Sequence, residues 1–203
     1  MQRGCYPAGL ARPRNFDPDQ VLAAALDVFW TRGYAATSFD QITEATGVNK
    51  PSLYAAFGDK GTLFRAALDR YHALLLGHAR ANLQRTPSAR DGLRAWLTSF
   101  VAACSGSSGR RGCFSVNTAA EATLADPEVA KRIARYNKTL ESMLRRAIER
   151  GRAAGELRKD VDPATTARLL LATQTGLMIL ARDGPPAART RATMDAVLAT
   201  LSA

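Results

Sequence analysis

The sequence has few of the residues that build metal sites and disulfide frameworks. Its 203 residues include three cysteines, Cys5, Cys104 and Cys113, and two histidines, His72 and His78. Three cysteines are an odd number, and they lack metal-like spacing, so reduced thiols are expected. The two histidines lie six positions apart in one predicted helix, where they do not share a face. The sequence therefore predicts no metal site and no cofactor.

Long apolar runs are also missing. No window holds the roughly 18 consecutive apolar residues that a membrane-spanning helix needs. The N-terminus lacks the apolar core of a signal peptide. We therefore expect a cytoplasmic protein with no membrane partner. With 46% hydrophobic residues, the chain can still bury a substantial core.

Catalytic motifs are absent from the sequence as well. It has no nucleotide-binding glycine loop, no HExxH motif and no cysteine pairs at zinc-like spacing. Neither histidine has a nucleophile at a diagnostic spacing. The sequence thus predicts that the protein is not an enzyme.

The net charge of +10 is unevenly distributed along the chain. Residues 1–60 carry six basic and six acidic side chains, whereas residues 61–203 carry 22 basic and 12 acidic ones. Much of the surplus lies in residues 145–152. Because a charge run on a long helix is usually a solvated face, the net charge alone does not predict a nucleic-acid partner.

Residues 38–57 carry the most specific pattern. Ser38 and Gln41 have the spacing of a capping box, which predicts a helix that begins just after Ser38. Gly47 suits the left-handed residue that ends a helix, and Asn49 can cap a second helix. Two short helices joined by a glycine-containing turn are typical of helix-turn-helix DNA readers.

Several motifs here resemble the N-terminal domain of the tetracycline-repressor (TetR) family of bacterial transcription regulators. The motifs that agree with the family in residue type and in spacing are residues 29–34, Thr37-Ser38, Gly47-Val48, Ser52-Leu53-Tyr54, Phe57-Gly58-Asp59-Lys60 and Leu63-Phe64. The resemblance covers about residues 12–64, and the remainder resembles the family only in its layout. It implies a repressor that binds a palindromic double-stranded DNA operator as a homodimer. It also implies that an unknown small-molecule effector releases the repressor from the operator.

The candidate DNA-binding residues lie in a basic arm and on the outward face of the two helices. The resemblance makes Tyr54 and Lys60 the usual phosphate contacts, and a phosphate would also offset the position of Lys60 at the positive end of a helix dipole. An ordinary surface lysine stays an alternative. The candidates are Arg12, Arg14, Thr37, Ser38, Gln41, Asn49, Lys50, Pro51, Ser52, Tyr54 and Lys60. A helical adaptor protein with a non-functional helix-turn-helix is the competing interpretation.

The layout predicts an all-α fold with two domains. Residues 12–60 form a three-helix helix-turn-helix DNA-binding domain, and residues 61–203 form a larger helical domain for effector binding and dimerisation. Residues 1–11 are expected to be a disordered tail, or to reflect a start codon chosen too early. Glycine and serine at 105–112 predict a mobile loop. The other later segments are predicted helices, at about 59–83, 88–104, 113–124, 126–155 and 163–182, followed by a last helix.

The helix at 163–182 is apolar nearly all round, so it must be buried on more than one side. The last helix repeats apolar residues at i, i+3, i+4 and i+7. Both helices are therefore predicted to pair with a second copy, unless they merely complete the core of one chain. The predicted interface residues are Leu170, Leu177, Met194, Val197, Leu198 and Leu201.

An effector site is expected in the middle of the larger domain. Apolar and aromatic residues would line it, and Asn117 and Glu121, at i and i+4, would supply polar anchors, unless they are a solvated pair. Cys113 follows two arginines and is either a sensor of electrophiles and oxidants or a buried, inert thiol. The candidates are Trp96, Phe100, Cys113, Phe114, Asn117, Glu121, Tyr136, Met143, Gln174 and Met178.

Overall fold

The computed structural model describes residues 16–121, 126–184 and 186–201. These residues form ten α-helices and one short 3₁₀ helix, Ala181–Asp183. The α-helices are α1 (Pro18–Ala36), α2 (Phe39–Thr46), α3 (Lys50–Phe57), α4 (Lys60–Leu83), α5 (Ala89–Ala103), α6 (Gly106–Arg111), α7 (Phe114–Glu121), α8 (Pro127–Ala153), α9 (Pro163–Leu180) and α10 (Ala187–Ala199). The predicted all-α fold is confirmed.

Three helix starts are fixed by an aspartate followed by a proline. Asp17, Asp126 and Asp162 each accept a hydrogen bond from a backbone N–H of the first turn. The proline that follows each aspartate takes the first helical position, where a backbone N–H would have no acceptor within the helix. Cap and proline together begin α1 at Pro18, and they confirm the predicted starts of α8 and α9.

Helix α4 joins the N-terminal helices to the rest of the chain. Its first part packs against α1, which also contacts α2, and α3 packs on α2. Further along, α4 packs against α5, α7 and α8. Helix α8 lies along α9, and α10 packs on α5. A single hydrophobic core therefore runs from α1 to α10. Because protein interiors are close-packed, a movement of α4 or α7 would also displace the N-terminal helices.

Helix α1 is interrupted at Gly33. This residue has φ 79° and ψ 167°, a conformation that side chains other than glycine rarely adopt. A Cβ added there would lie 2.7 Å from Oε1 of Glu121. A further short segment continues from Gly33 to Ala36 before the chain turns.

The expected loop at 105–112 is largely helical, which corrects the sequence-based prediction. Gly106–Arg111 form α6, which packs against the 3₁₀ helix. Its last residue, Arg111, contacts α1, so tertiary contacts override a composition that disfavours helix. Residues 122–124, the predicted end of α7, and residues 1–11 lie outside the described residues.

Candidate nucleic-acid interface and ligand cavity

Helices α2 and α3 are held at their ends by local hydrogen bonds. The Ser38 hydroxyl accepts from the Gln41 N–H at 3.3 Å, and the Gln41 side chain accepts from the Ser38 N–H at 2.9 Å. Gly47 ends α2 with φ 67°. The Asn49 side chain then accepts from the Ser52 N–H at 3.0 Å and begins α3. All four predictions about these caps are confirmed, and the angle between the two helices is fixed by short-range interactions.

Buried side chains orient the outer face of α3. Phe39, Ile42 and Leu53 are buried beneath the two helices. On the opposite side, Lys50, Pro51 and Tyr54 are exposed. The structure therefore places these three candidates on one open surface, together with the capping residues Ser38 and Asn49, which are also exposed.

Two of the exposed candidates already have partners within the protein. Nζ of Lys50 lies 2.6 Å from Oδ1 of Asp40, which makes an exposed ion pair between α3 and α2. The Tyr54 ring stacks on Phe39, with ring centroids 4.3 Å apart. An exposed ion pair contributes little stability, so an incoming phosphate can compete with Asp40 for Lys50. The stacking leaves half of Tyr54 accessible.

Thr37 differs from its predicted role. Its side chain is buried, and its hydroxyl donates to the carbonyl oxygen of Gly33 at 2.6 Å. The kink in α1 leaves that carbonyl without a helical partner, and Thr37 satisfies it. The Thr37 side chain is therefore a structural element at the end of α1. Arg12 and Arg14, the predicted basic arm, lie outside the described residues.

Lys60 also has a structural role that the sequence analysis missed. Its Nζ donates to the carbonyl oxygens of Thr37 at 2.9 Å and of Tyr34 at 3.1 Å, and it lies 4.5 Å from the centroid of the Tyr34 ring. A cation at the C-terminal end of a helix is favourable, because the last carbonyls carry partial negative charge. Lys60 therefore offsets its unfavourable position in α4 by capping α1, without any need for an external anion.

A cavity in the described part of the chain lies between the N-terminal helices and the helices that follow them. It measures about 720 Å³ and is bounded by α1, α4, α7, α9 and the 3₁₀ helix. Three predicted effector residues, Phe114, Asn117 and Glu121, line it. The residues that form its other walls, including Trp30 and Tyr34 of α1, were not predicted, because their position beside the cavity depends on how α1 packs against α7 and α9.

The remaining effector candidates do not share this cavity, so the expectation of one common pocket is wrong. Trp96 and Phe100 line a space of about 150 Å³ between α4, α5 and α8. Cys113 and Gln174 line another of about 80 Å³ between α7, α8 and α9. Tyr136 borders both spaces. Met143 and Met178 pack in the hydrophobic core.

Asn117 connects three parts of the structure. Its Nδ2 donates to the carbonyl oxygen of Arg111 at 3.0 Å, and its Oδ1 accepts from Nη1 of Arg182 at 3.3 Å. Arg111 in turn donates through Nη2 to Asp27 Oδ1 at 2.7 Å and to the Thr31 hydroxyl at 3.1 Å. A continuous chain of polar contacts therefore runs from the 3₁₀ helix through α7 and α6 to α1.

Glu121 makes a second connection to α1. Its Oε1 accepts a long hydrogen bond, 3.4 Å, from the N–H of Ala35. The same carboxylate lies against Gly33, where the lack of a side chain leaves room for it. Asn117 and Glu121 thus contact different partners while both line the same cavity.

Both described cysteines are buried. The Cys113 Sγ accepts a hydrogen bond from the Tyr71 hydroxyl at 3.4 Å, and the Cys104 thiol donates to the carbonyl of Leu177 at 3.8 Å. Burial raises the pKa of the Cys104 thiol to about 11 and also raises the pKa of the Tyr71 hydroxyl. Burial of both thiols favours the inert alternative over that of a surface sensor. Cys5 lies outside the described residues.

His72 is a buried histidine whose environment the sequence analysis did not anticipate. Its ring stacks on Tyr136 with centroids 4.4 Å apart, and its Nε2 shares a hydrogen bond with the Ser115 hydroxyl at 2.8 Å. The pKa of His72 is lowered to about 4, mainly by burial. The Asp69 charge opposes this shift, and the Arg135 charge adds to it. The imidazole is therefore neutral near pH 7 and links α4 to α7.

The predicted interface residues need correction. Leu170, Leu177, Met194, Leu198 and Leu201 are buried within a single chain, and Val197 is half-buried. The apolar side chains that α9 leaves exposed are instead Leu169 (51% exposed), Ile179 (55%) and Leu180 (51%). Ala172 is exposed between them, and nothing lies within 4 Å of a Cβ built at Gly176. Helix α9 therefore has two apolar faces, one in the core and one at the surface.

In the described part of the chain, no helix has the length and apolar character that a membrane span requires. Among the same residues, no group of three or more histidine, cysteine, aspartate and glutamate side chains is arranged to hold a metal ion.

Sequence families match both parts of the chain. Residues 21–67 match the family described as bacterial regulatory proteins, tetR family. Residues 89–196, more than half of the chain, match the tetracyclin repressor-like C-terminal domain. The HTH-type transcriptional repressor ComR of Escherichia coli K12 is 32% identical over 181 residues, which cover 89% of this chain and 86% of ComR.

Solved structures share the arrangement of helices. A cysteine mutant of the TetR family transcriptional regulator CifR, complexed with 26-bp double-strand operator DNA, has a TM-score of 0.83 and 35% identity, and the match covers 94% of this chain and 100% of CifR. The reduced form of Escherichia coli NemR also has a TM-score of 0.83, but at 20% identity, and the match covers 91% of this chain and 96% of NemR. The NemR comparison shows the fold alone.

Proposed function

Because the chain belongs to the tetracycline-repressor (TetR) family of bacterial transcription regulators, we propose that it is a repressor with two domains. Residues 12–60 bind a palindromic operator, and residues 61–203 dimerise and bind a small-molecule effector. The observation that carries the DNA-binding proposal is the open face of α3. It combines a rigidly capped helix with exposed Lys50, Pro51 and Tyr54.

Helix α3 has the properties of a recognition helix. In helix-turn-helix proteins the N-terminal residues of the second helix reach base edges in the major groove, while neighbouring residues contact phosphates. Lys50 and Pro51 occupy that first turn, and Ser52 and Tyr54 follow on the same helix. Ser38, Gln41 and Asn49 lie at the starts of α2 and α3, and the proposal assigns them contacts with the DNA backbone. The structure of CifR with operator DNA supports this use of the fold.

The exposed face of α9 supports a homodimer. Leu169, Ala172, Gly176, Ile179 and Leu180 form a stripe with helical spacing. Exposed apolar side chains that are contiguous mark an interaction surface, and a small residue such as Gly176 permits close approach of another helix. A two-fold pair of chains would present two copies of α3, as a palindromic site requires.

Selection of genomic fragments by the purified protein tests the DNA-binding proposal. Fragments retained at about 150 mM salt should share an inverted repeat whose half-sites are roughly one helical turn apart. Lys50→Ala should weaken the selected site at least about tenfold, because it removes a cation and leaves Asp40 facing the DNA. Arg94→Ala, an exposed arginine on α5, is the matched control and should bind like the wild type.

The result separates the proposal from the competing adaptor function. Retention that shows no sequence preference, or equal affinities for Lys50→Ala and wild type at the selected site, would overturn the assignment of α3 as a recognition helix. A vestigial helix-turn-helix predicts that outcome.

A further inference from the structure

The cavity between the two domains is placed where an occupant touches the DNA-reading part directly. One wall belongs to α1, with Phe29, Trp30 and Tyr34, and the opposite wall belongs to α7 and α9. A molecule bound here contacts both sides at once. Its binding therefore depends on the separation of α1 from α7, which is the condition for coupling to DNA affinity.

The walls are suited to a planar aromatic body. The rings of Phe29, Phe64 and Phe114 meet edge to face, with centroid distances of 5.0 Å for Phe29 and Phe64 and 5.6 Å for Phe64 and Phe114. Trp30 lies 6.2 Å from Phe114 and extends the wall. Clusters of this kind favour another ring through offset and edge-to-face contacts, and at about 720 Å³ the space admits a molecule of two or three fused or linked rings.

The electrostatic surroundings favour a negative group over a positive one. Arg111 lies with its Cζ 4.3 Å from the Trp30 ring centroid, and Lys60 lies with its Nζ 4.5 Å from the Tyr34 centroid. These two rings, which a cationic ligand would otherwise use, already hold protein cations. A further cation in the cavity would be repelled by both of them.

One guanidinium lines the cavity and is available to an anion. Arg182 is exposed, and within the described residues its Nη1 donates a 3.3 Å hydrogen bond to Oδ1 of Asn117. A guanidinium has five N–H donors and binds planar oxyanions in a bidentate manner, so most of its capacity is unused here. Glu121 is engaged with Ala35 at the α1 end of the cavity.

We propose that this cavity binds an amphipathic aromatic anion, whose ring system packs on Phe114 and Trp30 and whose carboxylate or sulfonate pairs with Arg182. The inference rests on the proposed function and specifies its effector class. Pairing with the ligand draws Arg182 away from Asn117, which holds the Arg111 carbonyl and so the contact of α6 with α1. The ligand therefore competes for Arg182 with Asn117, the residue that maintains the contact of α6 with α1.

A pair of fluorescent probes tests the proposal. The anion 8-anilinonaphthalene-1-sulfonate and the neutral N-phenyl-1-naphthylamine share one ring system and differ by the sulfonate. Arg182→Gln should weaken the affinity for the anionic probe by about tenfold, near 1.4 kcal/mol, and leave the affinity for the neutral probe unchanged. Arg168→Gln, an exposed arginine on α9 outside the cavity, should alter neither. Glu121→Gln should raise the affinity for the anionic probe, because it removes a negative charge from the cavity lining.

A second variant locates the probes. Ala120 lines the cavity with an exposed side chain, so Ala120→Trp fills the space without replacing a core residue and should abolish binding of both probes. Unchanged binding in Ala120→Trp would place the probes elsewhere and overturn the site. An equal loss of both probes in Arg182→Gln, or no loss, would overturn the anion preference. The operator affinity of the probe-free variants is measured separately, so that failure of DNA binding is distinguishable from failure of this inference.

Discussion

The guanidinium of Arg111 lies on the indole ring of Trp30, with its Cζ 4.3 Å from the ring centroid, and this contact joins α6 of the larger domain to α1 of the DNA-reading domain. The two N–H groups of its Nη2 are shared among three acceptors on α1, the carbonyl oxygen and Oδ1 of Asp27 and the hydroxyl of Thr31. One side chain thus contacts a complete turn of α1. This contact with α1 helps to explain why a segment rich in glycine and serine is helical here.

Replacing Arg111 should loosen this junction. Arg111→Ala removes a cation–π contact and several hydrogen bonds, and we expect it to lower the free energy of unfolding by about 1–2 kcal/mol. Urea denaturation measures the change. Arg110→Ala, at the exposed neighbouring position, is the control and should remain within about 0.5 kcal/mol of the wild type. Equal effects of the two substitutions would show that the contact with Trp30 has no energetic weight.

Lys60 allows a structural role to be separated from a DNA contact. Lys60→Ala should cost about 1 kcal/mol of stability, because the last carbonyls of α1 lose their cation. The family resemblance also assigns Lys60 a phosphate contact through its remaining N–H. If that contact forms, the affinity of Lys60→Ala should fall alike for all sequences, and the slope of log K against log salt should decrease by about 0.9. Titrations at several salt concentrations give this slope.

The control for Lys60 is an exposed lysine that has an acidic partner in α8, away from the reading helices. Lys131→Ala removes the same charge from the protein but should alter neither stability nor slope. A stability loss in Lys60→Ala without any change of slope would restrict Lys60 to capping α1.

The exposed face of α9 leads to a prediction about oligomeric state. Leu169→Asp would place an unpaired carboxylate in the proposed seam, at a cost of roughly 3–5 kcal/mol, and should convert a dimer to folded monomers at micromolar concentration. Light scattering after gel filtration gives the mass. Leu74→Asp on α4 changes a leucine of similar exposure, 48%, and should leave the dimer intact. A monomeric wild type would contradict the proposed interface.

His72 should make stability depend on pH. Its pKa is lowered from 6.5 to about 4 in the folded protein, so the unfolded chain binds a proton more readily. The contribution of neutral His72 is fully present above about pH 6.5 and is lost as the pH falls towards 4, by at most about 3 kcal/mol. In urea titrations between pH 7 and 5, His72→Gln should lose stability less steeply than the wild type. His78→Gln, at an exposed position, should retain the wild-type slope.

Local chemistry explains which parts of this structure were predictable. The capping box at Ser38 and Gln41, the left-handed Gly47 and the Asp-Pro starts depend on residues within four positions of one another, and each was read correctly. Their hydrogen bonds close within one helical turn, so no knowledge of the rest of the chain is needed.

Packing explains what the sequence did not predict. Lys60 and Thr37 were assigned to DNA from their positions in a motif, and in the structure both also donate hydrogen bonds to backbone carbonyls near the C-terminal end of α1. The apolar stripe at Leu170 and Leu177 was assigned to an interface, because periodicity shows that a face is buried without showing which partner buries it. The division of the effector residues among three cavities likewise follows from how α7 and α8 pack.

Ile179 gives the molecule a further property, since it lines the cavity between the domains and also stands on the exposed face of α9. In a symmetric pair of chains, the same side chain would border the pocket of one protomer and the seam with the other. Occupation of one pocket then alters the surface that the second protomer packs against. The two effector sites should therefore be coupled, so that the Hill coefficient of the dimer departs from one and returns to one in the Leu169→Asp monomer.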